Sequence, residues 1–339
     1  EAKQQAEIQQ EKEILGQATV VAMGKSKYAN VEKPYLDAEL ENYSEVDDTE
    51  EVDEGIQVTF KSGRAYLVDT DGNVEEVVIT DRTGIAVGDY IDYTPDVAST
   101  TTYPVSTLTT YSGSTSNTAD ITQDILNWQV LRIYRDGRMD LIGSATSQRI
   151  YFSGVLGYTN GVYLMDDICG KLYSRNANNI IARSVDLEDF NYWLTTDGIS
   201  ARDNYTSNGV KYGDIKTYTT YNSYPSFYKT QKNESDVGAL STNNSYERNG
   251  ELTLTETRYT IIINELNYSK GYKALQSSPS FWLGTWCNIL FEAYDFACFG
   301  LRTAGGSIGC YNICSTSQTS RDISDFLRRV VHIKSSTQI

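Results

Sequence analysis

The feature that most constrains this fold is a set of three apolar blocks near the C-terminus. They read Phe-Trp-Leu-Gly at 281–284, Phe-Gly-Leu-Arg at 299–302 and Leu-Arg-Arg-Val-Val-His-Ile-Lys at 327–334. Between the blocks, Cys, Tyr, Asp, Ser, Gly and Thr mix without a clear helical or strand period. We therefore predict that the tail, residues 281–334, is a polar binding surface mounted on a rigid apolar frame. The predicted core residues of that frame are Trp282, Leu283, Phe299, Leu301, Val330 and Ile333.

Length and composition favour a globular, strand-rich chain of more than one domain. The 339 residues are enough for two or more domains, and 40% are hydrophobic. The 26 Tyr residues suit half-buried pleated surfaces. Tyr together with Ser, Gly and Asn is also typical of binding loops. An extracellular β-rich protein accounts for this composition, and so does a protein with a dedicated binding surface.

Charge and histidine content exclude several function classes. The net charge is −16 and Lys and Arg form no cluster, which argues against nucleic acid and anionic membrane surfaces as partners. His332 is the single histidine, so a multi-histidine metal site is impossible and any Ser-His or Cys-His catalysis would depend on it alone. Its place between Val331 and Ile333 predicts an exposed or edge position. We expect no metal, no cofactor and no enzymatic activity.

Cysteine usage is unusual for a chain of this length. Of the five Cys, four fall between Thr285 and Asp325, and none forms a Cys-x-x-Cys motif. The odd count does not indicate a disulfide framework, although one disulfide is compatible with it. The pair Cys310 and Cys314 also raises the alternative of an oxidase resembling the formylglycine-generating enzymes.

The first 48 residues predict a helical stalk. Residues 1–24 are rich in Glu, Gln, Lys and Ala, and Ile8, Leu15 and Ala22 repeat every seven residues. A second, short helix is predicted within 31–44, and the acidic stretch 47–54 reads as a solvated connection. Because the chain begins inside a helical pattern, we expect an apolar segment upstream, through which alone the protein would meet a membrane.

Residues 49–86 predict a small antiparallel sheet that completes the first domain. Short strands are indicated at 56–60, 64–68 and 73–79, with turn signals at Gly63 and Gly72. One long helix followed by such a meander is a compact α+β unit.

The helix EAKQQAEIQQEKEILGQATVVAMGKSKY and the meander VTFKSGRAYLVDTDGNVEEV resemble the post-membrane part of type IV pilin-like proteins of Gram-positive gut bacteria. The resemblance covers about the first 80 residues. It implies an apolar membrane anchor upstream, contact with other pilin subunits through the N-terminal helix, and display on a pilus or cell surface.

Residues 87–339 predict a second α+β domain. A strand at 87–93 leads to an exposed Ser/Thr-rich loop at 99–118, and a hairpin follows at 128–142 with its turn at Asp136-Gly137. Amphipathic helices are predicted at 161–174 and 185–194. The Tyr-rich stretch 200–250 predicts long loops with short strands.

The three apolar blocks of the tail resemble the C-type-lectin-like fold, in its formylglycine-generating-enzyme-like branch. That branch includes the variable proteins of diversity-generating retroelements. The resemblance implies a fixed scaffold whose solvent-facing positions near the C-terminus are rewritten by adenine-targeted mutagenesis of Asn codons.

The genetic code offers a check on this idea. Changing the adenines of an Asn codon gives Tyr, Asp, Ser, Gly, Cys and Thr, among others, but never Lys, Glu, Gln, Met or Trp. Residues 285–325 contain no Lys and no Met, and only Trp286, Glu292 and Gln318 break the rule. These three would then be template residues, and scattered surface cysteines would be products of the mutagenesis. An ordinary irregular lectin-like C-terminus is the alternative.

The predicted variable region therefore spans about 285–325. We expect its face to bind a protein or glycan ligand on another cell, phage or host surface, with a calcium-dependent glycan-binding lectin as the alternative. The candidate ligand-binding residues are Trp286 as a fixed member, together with Asn288, Tyr294, Asp295, Phe296, Thr303, Ser307, Tyr311, Asn312, Ser315, Ser317, Thr319, Ser320, Asp322, Ser324 and Asp325.

Overall fold

The fold is taken from a computed structural model of the chain. The structure describes residues 2–52, 55–77, 84–124, 127–134, 137–207, 210–225, 240–246, 248–255, 259–277, 279–291 and 296–333. The chain divides into two compact units. The first comprises Glu1–Gly84 with Tyr134–Arg138, and the second comprises Ile85–Ile133 with Met139–Ile339. The α+β class, with an N-terminal helix and several sheets, is confirmed.

The first unit is two helices packed on a four-stranded antiparallel sheet. Its elements are α1 (Ala2–Lys25), α2 (Lys33–Leu40), β1 (Val46–Val52), β2 (Gly55–Phe60), β3 (Ala65–Val68) and β4 (Val74–Val77). The strands lie in chain order, β1-β2-β3-β4. Leu15 and Ala22 of α1, Leu36 of α2 and Val58 of β2 are fully buried in one core. The predicted N-terminal helix and the three-stranded meander are confirmed.

The acidic stretch 47–54 is not the simple connection that was predicted. Most of it forms β1, which pairs antiparallel with β2 through contacts such as Glu50 opposite Gln57. The prediction was wrong because charge reports on side-chain exposure and not on backbone pairing. As an edge strand, β1 keeps Asp47 and Asp48 exposed while its backbone is hydrogen-bonded on one side.

Glu11 of α1 is the polar centre of the first unit. Its buried carboxylate accepts hydrogen bonds from Arg64 Nε at 2.7 Å, Ser62 Oγ at 2.6 Å and Tyr66 Oη at 2.7 Å. These bonds tie the helix to β3 and to the turn before it. Burial disfavours the Glu11 carboxylate, but the hydrogen bonds it accepts outweigh burial, so its pKa is held below the usual value.

The second unit is built from two sheets around a central helix. Its helices are α3 (Val105–Tyr111), α4 (Gly154–Tyr173), α5 (Leu187–Asn191), α6 (Thr196–Asp203) and α7 (Tyr272–Leu275), with a 3₁₀ turn at Asn176–Asn178. Its strands before the tail are β5 (Tyr90–Ile91), β6 (Thr102–Tyr103), β7 (Ile121–Thr122), β8 (Trp128–Ile133), β9 (Met139–Gly143), β10 (Ile150–Ser153), β11 (Ala182–Ser184), β12 (Thr206–Ser207), β13 (Val210–Lys211), β14 (Ile215–Tyr224), β15 (Arg248–Thr255) and β16 (Ile261–Ile262).

The tail contributes five further strands, of which four form the interior of one sheet and one is an interior strand of the other. They are β17 (Phe281–Phe291), β18 (Phe296–Ala304), β19 (Ser307–Ser315), β20 (Asp322–Leu327) and β21 (Arg329–Ile333). One sheet has the order β10-β20-β17-β18-β19-β16 and the other β11-β21-β9-β8-β5. Strands β14 and β15 form a separate long hairpin. The predicted 128–142 hairpin is confirmed as β8 and β9.

Helix α4 packs against β10, β17, β18 and β19 of the first of these sheets and against β11 of the second. Close packing requires glycine on its surface: a Cβ on Gly161 would lie 2.4 Å from Leu301 Cδ1. The helix begins at Gly154, seven residues before the predicted start, since its first turns are buried and carry no amphipathic period.

The predicted exposed Ser/Thr-rich loop at 99–118 is only partly a loop. It contains β6 and α3, and Tyr103 and Leu108 are buried. Asn117 is also buried and donates to the Tyr151 carbonyl at 2.9 Å. Most of the other side chains are exposed or half-buried, as predicted. The buried polar ones were missed because hydroxyl and amide side chains bury readily once they are hydrogen-bonded.

Replacing Glu11 by Gln tests the polar centre of the first unit. A depressed folded-state pKa means that the Glu11 carboxylate stabilises the fold above its unfolded pKa of about 4.3, and that this contribution is lost as pH falls through the folded pKa. We expect Glu11→Gln to cost about 2 kcal/mol at pH 7. The loss of stability on acidification should also be shallower. Hydrogen exchange of the β2 and β3 amides between pH 3 and pH 7 measures both effects.

The matched control is Glu7→Gln. Glu7 also faces Arg64, at 3.3 Å, but its side chain is 47% exposed, and we expect a change below about 0.5 kcal/mol. Equal pH profiles for the wild type and Glu11→Gln would contradict the role assigned to Glu11.

Candidate ligand-binding face

Five strands of the tail form a buried frame. The six predicted core residues Trp282, Leu283, Phe299, Leu301, Val330 and Ile333 are all at most 1% exposed, which confirms that prediction. Strand β17 pairs antiparallel with β18 and parallel with β20, so its backbone is hydrogen-bonded on both sides at its start. We call β17–β21 and these core residues the tail frame.

Two indole groups fasten the tail frame to the elements behind it. Trp282 Nε1 donates to the Ile150 carbonyl at 2.9 Å, and Trp286 Nε1 donates to the Tyr158 carbonyl at 2.8 Å. Both rings are at most 1% exposed. Trp286 therefore belongs to the frame, and its predicted place on the ligand-binding face is wrong.

Four other predicted face residues are also interior. Their side chains are buried because strand alternation turns them toward a sheet face that is covered; they are Asn288, Thr303, Ser315 and Asp325. Asp325 Oδ1 accepts from Ser280 Oγ at 3.0 Å and from the Phe326 amide at 2.9 Å, and burial raises the pKa of this carboxyl. Such positions hold the frame together and cannot contact a ligand directly.

Three predicted residues lie wholly or partly outside the described residues, and a fourth, Ser307, lies apart from the rest. Tyr294 and Asp295 lie outside the described residues. Phe296 begins β18, and its side chain lies outside what the structure describes. Ser307 is half-buried at the far end of β19, opposite Ile262, so it is not brought together with the remaining members.

The remaining seven residues lie around the end of β19 and the start of β20. Tyr311, Ser317, Thr319, Ser320 and Asp322 are exposed, while Asn312 and Ser324 are half-buried. We call these seven residues the tail face. The connection between the strands runs back beside β19, because the Arg321 amide donates to the Ile313 carbonyl at 2.9 Å and Ser320 pairs with Cys314.

Hydroxyl groups organise this connection. Ser315 Oγ lies 2.8 Å from Ser317 Oγ and 2.6 Å from Thr319 Oγ1, and the Gln318 amide donates to the Ser315 carbonyl at 3.0 Å. Gln318 has a φ of 60°, in the left-handed region that non-glycine residues seldom adopt. The buried Ser315 hydroxyl thus holds two exposed hydroxyls in a defined turn.

Neighbouring elements complete the tail face. Ser116 Oγ donates to Asp322 Oδ2 at 2.5 Å, and Arg149 Nη1 donates to Ser324 Oγ at 3.4 Å. Tyr311 is 42% exposed, and its ring meets Trp282 edge-on with centroids 5.7 Å apart. One half of Tyr311 is therefore supported by the tail frame and the other half is presented to solvent.

The predicted binding face left out two exposed side chains of this connection, Gln318, which was interpreted as a template residue, and Arg321. Arg321 is exposed between Ser320 and Asp322. The available signal was its position between two candidates, together with the frequency of Arg at binding hot spots.

The cysteines are not scattered over a surface. Cys287 and Cys310 form a disulfide with their Cα atoms 6.4 Å apart, linking β17 to β19 across β18. Cys298 and Cys314 are buried. The expectation of exposed cysteines was wrong because strand alternation in a two-sided sheet places them inside. Cys310 is thus paired with Cys287 and not with Cys314.

His332 lies within a sheet, not at an edge. Strand β21 is flanked by β11 and β9, and His332 Nδ1 lies 2.7 Å from Oδ1 of the buried Asp140. Burial disfavours the Asp140 carboxylate, but His332 and Arg132 outweigh burial and lower its pKa. Arg183 of β11 forms a two-pronged ion pair with Asp189 of α5. This ion pair holds α5 against the sheet.

Comparisons with models of known protein families, with curated proteins and with solved structures give no match. Within the described ranges, no three His, Cys, Asp or Glu side chains are arranged to hold a metal ion. The described helices include none that is both long and apolar enough to cross a membrane.

The Cys287–Cys310 link is expected to stabilise the tail frame. The two residues are 23 apart in sequence, and closing a loop of that size contributes about 3 kcal/mol. We expect the double variant Cys287→Ala/Cys310→Ser to lose about that much and to become insensitive to reductant. Urea denaturation with and without a phosphine reductant measures this. A wild-type midpoint that does not move on reduction would contradict the assignment.

Proposed function

We propose that this chain is a non-enzymatic ligand-binding protein displayed on a pilus or cell surface, with the tail face as its receptor surface. The observation that carries the proposal is the contrast within the tail between the exposed or half-buried polar side chains of the tail face and the buried core residues of the tail frame. The proposal includes a C-type-lectin-like arrangement of the second unit and a pilin-like first unit.

A rigid support favours binding because few degrees of freedom are lost on association. The tail face has such support: Ser315 and Asp325 beneath it are at most 2% exposed. The hydrogen bonds of the buried Trp282 and Trp286 indoles fix β17 within the tail frame. Exchange of exposed side chains would leave the two indole hydrogen bonds intact.

The tail face also has the chemistry of an adaptable binding surface. Hydroxyl and amide groups form hydrogen bonds with many partners, Tyr311 supplies an exposed aromatic ring, and Arg321 supplies an exposed guanidinium. All seven residues of the tail face are of types that mutation of the adenines in an Asn codon can give, or are Asn itself. We therefore propose that the tail face, rather than the whole of 285–325, is the part that varies.

Surface display is proposed from the first unit. Val20 is 70% and Val21 43% exposed on α1, and with Tyr43 they line a groove of about 490 Å³. Exposed apolar surface of this kind is typical of protein contacts. It suits packing of α1 against another pilin-like subunit.

Sequencing the locus from independent isolates tests the proposal. We expect substitutions to concentrate at the tail face and to spare the buried positions Trp286, Asn288, Thr303 and Asp325. A near-copy of the tail that carries Asn codons at the varying positions, beside a reverse transcriptase, is expected nearby. Substitutions spread evenly over the chain would contradict the proposal.

Substitution of two exposed serines of the tail face tests its role in binding directly. Ser317→Tyr with Ser320→Tyr should change ligand choice while shifting the melting temperature by only a few degrees, because both side chains are exposed. The matched control is Asn288→Tyr, at a fully covered position, which should destabilise strongly. Equal destabilisation by both changes would show that the tail face is structural.

A further inference from the structure

A second candidate site lies in the second unit, outside the tail face. It is a cavity of about 350 Å³ where β5, β8 and β9 meet the segment between α7 and β17. Its lining is mostly polar and includes Tyr90, Asn127, Ser144, Ser277 and Arg328. None of the seven tail-face residues lines it.

Arg328 is the unusual member of this lining. It joins β20 to β21 and is only 4% exposed. Its hydrogen bonds to described residues all go to main-chain carbonyls: Nε to Gly143 at 2.8 Å, Nη1 to Leu275 at 3.1 Å and Gln276 at 3.4 Å, and Nη2 to Ala274 at 2.9 Å. A guanidinium has five N–H groups, so these described partners leave one on Nη2 available.

No carboxylate among the described residues forms an ion pair with Arg328. A second guanidinium, that of Arg329, is also buried and donates to the Ser144 carbonyl at 2.9 Å. Burial, followed by the charge of Arg329, lowers the pKa of Arg328 to about 9. Buried charges are ordinarily paired. Among the described residues, therefore, no carboxylate offsets the charge of Arg328 in this cavity, although the net charge of the protein is −16.

Neutral polar groups surround the charge. Asn127 and Ser144 are exposed, Ser277 is half-buried, and none of the three side chains is engaged by another described residue. Tyr90, 66% exposed, offers an aromatic face and a hydroxyl. Amide and hydroxyl groups of this kind match the hydroxyl groups of a small ligand.

We propose that the Arg328 cavity binds a small hydroxylated carboxylate of the sugar-acid class, with the carboxylate toward Arg328 and the hydroxyls toward Asn127 and Ser144. A carboxylate suits a single available N–H and one excess positive charge, since charge-assisted hydrogen bonds of this type are the strong ones. The volume is within the range of small-molecule sites. The site is independent of the tail face.

Titration of the intact chain with D-glucuronate, and with D-glucose as its neutral counterpart, tests the proposal. Calorimetry or ligand-observed NMR should give a Kd on the order of 1 mM for glucuronate, as is usual for a ligand of this size. Glucose should bind at least tenfold more weakly. Raising the salt concentration should weaken glucuronate binding and leave glucose unchanged.

The informative variant is Ser144→Asp, because replacing Arg328 itself also removes its bonds to four carbonyls. An aspartate at the exposed position 144 supplies the missing negative charge, and we expect glucuronate affinity to fall at least tenfold while the melting temperature is kept or raised. Ser99→Asp changes the net charge equally at an exposed position outside the cavity and should bind like the wild type.

Three results would overturn the site: no binding of glucuronate, equal binding of glucose, or equal affinity in Ser144→Asp and Ser99→Asp. Each would leave Arg328 as a purely structural cap on the carbonyls of α7. Conversely, loss of glucuronate binding in Ser144→Asp alone, with normal melting of both variants, supports it.

Discussion

Two buried indole N–H groups hold the second unit together around its tail. Trp282 and Trp286 are four residues apart on β17, yet they donate to carbonyls in two different elements, β10 and α4. A buried N–H without a partner costs about as much as a lost hydrogen bond. The two hydrogen bonds therefore fix β17 at two points along its length. Strands β18 and β20 pair directly with β17, and β19 pairs with β18. The exposed character of Ser317 and Ser320 depends on this fixed support.

The tail combines two kinds of surface that are separated by burial and not by sequence position. Neighbours such as Ser315 and Ser317 belong to different classes, since one hydroxyl is interior and the other exposed. The interior hydroxyl hydrogen-bonds the exposed one, so the two classes are physically coupled. A receptor surface on such a support can exchange its outer residues only where the inner partner tolerates the change. Arg328, by contrast, is interior but has a charge that no carboxylate among the described residues pairs with.

Much of the fold could be predicted from local pattern. The helix α1, the β2–β4 meander and the β8–β9 hairpin have clear periodicity and turn residues, and all three are present. The candidate site was predicted less well. Trp286 and Asn288 were assigned to the surface from composition, but both lie in a strand covered on its two faces. A covered strand has no polar-apolar alternation to reveal its inward positions, so composition alone could not separate them.

Three properties follow from the sequence alone, through local propensity and the residue types present: the α+β class, the apolar blocks of the tail frame, and the lack of any multi-histidine site. The tertiary structure adds which polar residues of 285–325 face solvent, that Cys287 meets Cys310, and that Arg328 lines a cavity whose described lining residues include no carboxylate. Those properties depend on contacts between residues far apart in the chain. The register of β17 against β18 and β20 sets them, and no local pattern encodes that register.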